Sequence, residues 1–346
     1  MTQYAFGAGN FYATPLQDAW GNALTNQTPV PLMTLQEGSV DLSGEVKELY
    51  GQNQFPVAVG RGKVKMAIKV KPARIFAAAW NALFFGQNLV QGIFSNYSDS
   101  IGSVIPPAAA GGVTAIPTVA AGGTAYVTGD IIQVNTGTST VKATGVVTAA
   151  AGVVTAVQVL TSGSYTVAPT ASGATTALTG SGTGCTVTCS CTASAIVAYP
   201  QSLGAGAIGA TFVADLGVYN LATGMPLKRV AAAPATGQYM VNTGTGVYTF
   251  ASADAGLTAL VSYQYTQPST TGWKQTVQNL PMGYAPTFKA DLTVAYLGKM
   301  TTFSFPMAVP SKFQIGFKNE DFSVPSFDFS AFDPGTGQVM SWSLSE

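Results

Sequence analysis

Between Arg61 and Lys71 apolar and basic residues alternate strictly, with Val64, Met66, Ile68 and Val70 on one side and Lys63, Lys65, Lys69 and Lys71 on the other. Successive side chains of a strand point to opposite faces, so this period of two predicts a half-buried antiparallel strand. The period then changes. From Pro72, residues Ile75, Phe76, Ala79, Trp80, Leu83 and Phe84 recur at helical spacing and Gly86 ends the run, which predicts one amphipathic helix of about 14 residues. A helix of that length is too short to cross a bilayer, and it reads as a core helix packed on a sheet, with no membrane insertion.

Strand signals return in the second half. QYMVNTGTGVYTF predicts a hairpin, with Tyr239 and Val241 before the turn and Val247, Tyr248 and Phe250 after it, and LTALVSYQYT predicts a further strand. FKADLTVAYLG, KMTTFSFPMAV and SKFQIGF alternate and are separated by Gly or Pro, so they read as three strands. At the C-terminus Phe327 and Phe329, then Val339 and Trp342, flank a DPGTG turn and predict an extended arm or a closing hairpin. Within residues 106–200, GGTAYVTGDIIQV, TGVVTAAAGVVTAVQVLTSGSYTVAP and GTGCTVTCSCTASAIVAY are Val/Thr-rich strands joined by Gly-rich turns. The paired GVVTA segments at 145 and 152 are the two strands of one hairpin, because seven residues is too short for a solenoid unit.

Charge turns this pattern into a domain division. Residues 106–200 contain only Asp130 and Lys142, whereas the flanking segments hold the other 28 charges and all four Trp. The break predicts a discontinuous parent domain, 1–105 with 201–346, interrupted by a small all-β, Ig-like module at 106–200. The fold class is mainly β: an antiparallel β-sandwich or barrel with one flanking α-helix, plus that inserted module. Charged residues make up 9% of the 346-residue chain, well below the roughly 25% of an average soluble protein, so much of the surface is expected to be covered by other subunits. Fifteen basic and fifteen acidic residues cancel, which argues against general binding of nucleic acid by the whole surface.

Candidate chemistry is sparse. No His is present, so the usual base of a serine hydrolase is missing and zinc at Cys185, Cys189 and Cys191 would lack a fourth ligand; the cysteines read as small buried residues on one strand face. The GSGTG run, Gly180, Gly182 and Gly184, lacks the ending of a phosphate-binding loop and reads as a turn. Glu320, Asp321, Asp328 and Asp333 could supply a carboxylate pair, but solvated or inter-subunit carboxylates are the commoner outcome. The chain reads as a non-enzyme without a cofactor. The start, MTQYAFGAGNFYATPLQ, has no basic end followed by an apolar run and is not a secretory signal. Six of the fifteen basic residues lie between Arg61 and Arg74, and a row of Lys63, Lys65, Lys69 and Lys71 faces solvent, nucleic acid or the carboxylates of a neighbouring subunit, with the acidic C-terminal residues as partners.

VKELYGQNQFPVAVGRGKVKMAIKVKPARIF, DLGVYNLATGMPL, TGVYTFASADAG and FKNEDFSVPSFDFSAF resemble segments of the tail tube proteins of tailed bacteriophages. That resemblance, over about two-thirds of the chain, implies a β-sandwich or barrel that assembles into stacked, usually hexameric rings, with terminal arms and a long loop joining successive rings. It implies a virion tail location, assembly in the host cytoplasm, and a channel that holds the tape-measure protein and passes double-stranded DNA into the host. It also implies tail terminator and baseplate or distal tail proteins as partners. The 106–200 module would project from the tube, which a contractile sheath would not tolerate, so a long non-contractile tail is expected. Two rival readings are a capsid or head-decoration protein and a carbohydrate-binding adhesin acting through the module. The module offers a sugar only Tyr126, Tyr165 and Tyr199, the first two of which read as core residues.

Overall fold

The computed structural model describes residues 7, 9–32, 35–74, 76–200 and 208–345. The start of the chain named above, residues 1–6 and 8, lies outside them, as does Ile75 of the helical run. The fold is mainly β, with antiparallel sheets and one short helix. The chain divides into two compact units, one built from residues 1–90 and 275–346 and the other from 91–274.

The first unit is one eight-stranded sheet, in the order Val30–Leu32, Asn10–Gln17, Thr287–Tyr296, Lys299–Gln314, Ser326–Ala331, Pro56–Pro72 and Leu35–Tyr50, with Ser341–Leu344 also pairing Lys299–Gln314. Alternation explains its one-sided core. Phe11, Ile68, Val70, Phe288, Phe305, Phe327 and Phe329 are wholly buried on one face. Phe329 is the centre of the cluster, 4.8 Å from Phe288, 5.8 Å from Phe11 and 5.7 Å from Phe84 between ring centroids. Offset and edge-on rings at such separations add about 0.5–1.5 kcal/mol per pair beyond the area they bury.

The helix over this face is shorter than its periodicity predicts. Pro72 remains in the strand, paired with Leu35, and the helix runs as one α turn, Ala77–Trp80, followed by a π-helical turn, Asn81–Phe85. Ala79 and Leu83 are buried in the phenylalanine core, while Phe76 is half exposed. Gly86 ends the helix with φ 57°, and a Cβ there would meet the Ala19 backbone nitrogen at 2.6 Å, so only glycine fits this left-handed cap.

Two other expectations change in this sheet. Lys299–Gln314 is one strand rather than two, although it contains Pro306 and Pro310. The register slips opposite Lys289, where Pro306 lies, and again just after Pro310, and bulges are where a strand tolerates a residue without an N–H. Nor do the strands on either side of the DPGTG turn form a hairpin. Ser326–Ala331 lies between Lys299–Gln314 and Pro56–Pro72, whereas Ser341–Leu344 pairs with Thr301–Ser304.

The 91–274 unit has two cores. Around the first, six strands follow the order Val153–Thr161, Thr144–Ala150, Ile131–Val134, Gly173–Ala177, Thr183–Thr192 and Gly112–Thr124. The sheet rolls so far that Gly122 of its last strand backs directly onto Val153 and Val154 of its first. Val113, Ile132, Val147, Tyr165 and Val187 fill the roll. The expected GVVTA hairpin is present, pairing Val147 with Val157 across a two-residue turn in which Ala151 and Gly152 both have positive φ. Cys185 is buried at its wall and Cys189 and Cys191 are half-buried; all three are free thiols. Burial, helped by the neighbouring Cys191, pushes Cys189 up to about 11.

The second core lies between the sheet Thr211–Asn220, Thr258–Gln267, Ile93–Tyr97 and the sheet Ala195–Val197, Val247–Phe250, Gln238–Asn242, Lys228–Arg229. It is rich in tyrosine: Tyr97, Tyr239, Tyr248, Tyr263 and Tyr265 are all buried. Val146, Leu160, Ile196 and Tyr199 join the same core. The composition break at 106 and 200 falls inside this unit, which runs from 91 to 274. Low charge marks the rolled sheet, but the contacts of Ile196 and Tyr199 carry the unit past it.

Candidate functional site

The Lys-rich strand extends beyond its expected bounds to Pro56–Pro72 and pairs along almost its whole length with Leu35–Tyr50. Sixteen and seventeen residues make this the longest hairpin of the molecule, and its two halves differ. In the proximal half Met66, Ile68 and Val70 are buried in the phenylalanine core. In the distal half both faces are exposed: Val46, Leu49, Tyr50, Phe55, Val57 and Val59 all lie open, Phe55 at 81%. Val64, on the apolar side of the alternation, is also exposed, and the register slips beside it, between Gly44 and Val46. A bulge at that point bends and twists the ribbon where it leaves the sheet.

The hairpin is also divided by charge. Leu35–Tyr50 carries Glu37, Asp41, Glu45 and Glu48 against Lys47, whereas Pro56–Pro72 carries Arg61, Lys63, Lys65, Lys69 and Lys71 and no acid. Register decides which of these meet. Glu37 lies opposite Lys71 and pairs with its ammonium, and Lys69 Nζ is 3.9 Å from the other Glu37 oxygen. The Lys71 hydrogen bond, with both ammonium charges, holds the Glu37 carboxyl below its ordinary range. Lys63 and Lys65, on either side of Val64 at the bulge, are exposed, and among the described residues neither makes an ion pair. Glu37, missed by the sequence reading, was signalled by an acid-rich segment just ahead of the basic strand with GQNQ between them, the arrangement that favours opposite charges across a hairpin.

The four candidate carboxylates do not converge. Asp328 sits in the sheet opposite both Lys69 and Lys312, with Oδ1 shielded and without a hydrogen bond. Asp333 Oδ1 accepts the N–H groups of Gly335, Thr336 and Gly337 and so organises the DPGTG turn. Glu320, with φ 66°, and Asp321, which accepts its neighbour's N–H at Phe322, belong to an exposed loop. On that loop Phe317 is 80% and Phe322 93% exposed. Among the described residues no three His, Cys, Asp or Glu side chains gather as a metal cage, and no helix is long and apolar enough to cross a membrane.

What this surface can do is associate. A two-stranded ribbon is marginal in water by itself, and exposed apolar side chains on an uncovered edge invite another chain. The Leu35–Tyr50 strand is such an edge, paired on one side only. No protein-family model matches this chain, and no curated protein matches it.

Proposed function

We propose that the protein is a structural subunit that assembles with copies of itself into stacked rings, forming the tail tube of a bacteriophage with a long non-contractile tail. One observation carries the reading: the distal half of the Leu35–Tyr50/Pro56–Pro72 hairpin exposes Val46, Leu49, Phe55, Val57 and Val59 with nothing of the described chain over them. A second copy suits that ribbon because it presents acids on one strand and bases on the other, so like arms offer one another opposite charges as well as apolar surface. The low overall charge and the resemblance of four segments to tube proteins support the same reading. In it the rings enclose the channel for the tape-measure protein and for DNA, and the chain's work is mechanical rather than catalytic.

Negative-stain microscopy of the concentrated protein at neutral pH tests it. Hollow tubes or six-fold rings are expected from the natural chain, and monomers of unchanged melting temperature from the Val57→Ser, Val59→Ser double variant. Flat lattices or closed shells would replace the tube with a capsid role. Tubes that form equally well from the double variant would remove the hairpin from the assembly.

A further inference from the structure

Two carboxylates are buried in the tyrosine-cored part of the 91–274 unit, and they are served very differently. Asp215, whose side chain is 4% exposed, accepts hydrogen bonds from the Tyr239 hydroxyl at 2.8 Å, the Tyr248 hydroxyl at 3.0 Å and the Gly217 N–H at 3.0 Å. The Arg229 guanidinium stands 3.5 Å away. This is what a purely structural buried carboxylate requires, since an ionised group removed from water is costly unless donors and an opposite charge surround it.

Asp254 is 1% exposed, deeper still, yet it has one donor. Its Oδ2 accepts the Gly237 N–H at 2.9 Å, and Oδ1 has no hydrogen bond and no ion pair with any described residue. The residue closes the short 3-10 turn Ser252–Asp254 and forms part of the wall of a cavity of about 140 Å³. Ile105, Leu227 and Ala259 supply apolar wall, and Met225 and Leu257, both exposed, stand where solvent reaches it. Asn220, Thr223 and Thr258 add polar side chains.

A largely apolar cavity with a single buried carboxyl group selects its occupant by chemistry. The unmatched oxygen calls for a donor that carries positive charge, and the walls call for a short hydrocarbon stem. Cavities of roughly 150 Å³ hold a molecule the size of benzene, so about five or six heavy atoms fit. A divalent cation would need further carboxylates, and among the described residues that line the cavity no second acid joins Asp254. We infer that the cavity is a binding site for an alkylammonium group, with Asp254 as its anionic anchor and Leu227, Leu257 and Met225 along the alkyl stem. This site is independent of the hairpin and of any assembly through it.

Ligand-observed NMR titration of the full-length protein tests the inference with three probes: n-butylammonium, n-butanol as its neutral counterpart, and Nα-acetyl-lysine N-methylamide as a side chain presented by a protein. Saturable binding of n-butylammonium is expected, at least tenfold tighter than n-butanol and at least tenfold weakened in Asp254→Asn, whose amide oxygen still accepts the Gly237 N–H. Equal binding of the lysine derivative would assign the site to a partner's lysine, and binding of n-butylammonium alone would assign it to a free amine. Equal affinity for the alcohol, or no saturable binding of the amine, overturns the inference even if Asp254→Asn does not fold; unchanged affinity in a folded Asp254→Asn overturns it as well.

Discussion

The phenylalanine core of the first unit and the tyrosine core of the 91–274 unit are written in much the same way, as aromatic residues two apart on a strand: Phe327 and Phe329 in one, Tyr248 and Phe250, Tyr263 and Tyr265 in the other. They need different things from the fold. Phenyl rings ask only to be enclosed, and Phe11, Phe84, Phe288, Phe327 and Phe329 meet that need by packing against one another, stacked, tilted or edge-on. Each buried tyrosine brings a hydroxyl that must find a partner or remain a cost. Tyr239 and Tyr248 share Asp215, while the Tyr263 hydroxyl is buried without a hydrogen bond. The first core is therefore indifferent to pH, and the second carries a built-in alkaline limit.

The largest effect expected concerns where the two cores can be separated. Gly92 donates its N–H to the Gly272 carbonyl at 3.0 Å, so the chain passes into and out of the 91–274 unit side by side. Replacing 91–274 with a short glycine linker removes no phenylalanine-core residue and should leave a soluble protein with a cooperative thermal transition. Excising 106–200 instead strips Val146, Leu160, Ile196 and Tyr199 from the tyrosine core, and should leave residues 91–105 and 208–274 open to limited proteolysis. If the second deletion resists protease as well as the natural chain, the two cores are more separable by composition than by contact.

Next in size is Phe329→Ala. Truncating a wholly buried phenylalanine among four other rings removes its transfer energy and leaves a cavity, an expected loss of about 3–5 kcal/mol in denaturant unfolding. The loss should be the same at pH 7 and pH 10.

An alkaline titration should then set the cores apart. Burial first, and the nearby Asp99 charge second, push the Tyr97 hydroxyl up to about 12, and burial raises Tyr239, Tyr248 and Tyr263 further. An unfolded tyrosine ionises near pH 10, and the native state keeps its proton, so the stabilisation is complete below about pH 10 and falls as pH rises toward 12. Tyrosinate absorbance at 295 nm, followed with near-ultraviolet circular dichroism, should appear together with loss of the tyrosine core. Normal titration near pH 10 without unfolding would mean that these rings are not enclosed as described.

The smallest effect separates the hydroxyl from the ring. Tyr248→Phe keeps the packing and removes one hydrogen bond to Asp215, which retains Tyr239, Gly217 and Arg229; a loss of about 1–3 kcal/mol is expected for a bond to a charged group. A change within experimental error would show that Arg229 and Tyr239 already meet the needs of Asp215.

Much of this was legible in the chain, and for a local reason. The Gln238–Asn242/Val247–Phe250 hairpin, the Thr258–Gln267 strand and the GVVTA hairpin follow from period-two alternation and turn residues within a few positions of one another. The Lys63, Lys65, Lys69 and Lys71 row was visible in the same way. The helix is shorter than its pattern at the start, because Pro72, which by itself suits a first helical turn, ends the Pro56–Pro72 strand opposite Leu35 and the helix begins at Ala77. Pro306 and Pro310 looked like strand breaks because a bulge is a property of two strands, and only one of them is in view.

The sequence by itself determined where strands lie and which side of each is apolar, since alternation and turn chemistry act within a few residues. Tertiary structure decided what covers each side. It buried Ile68 and left Val59 in solvent on the same strand, brought Glu37 to Lys71 across 34 positions, gave Asp215 four partners and Asp254 one, and drew Ile196 and Tyr199 into a core beyond the composition break. Burial and pairing depend on segments far apart in the chain meeting in space, and a pattern of period two encodes a face without naming its partner.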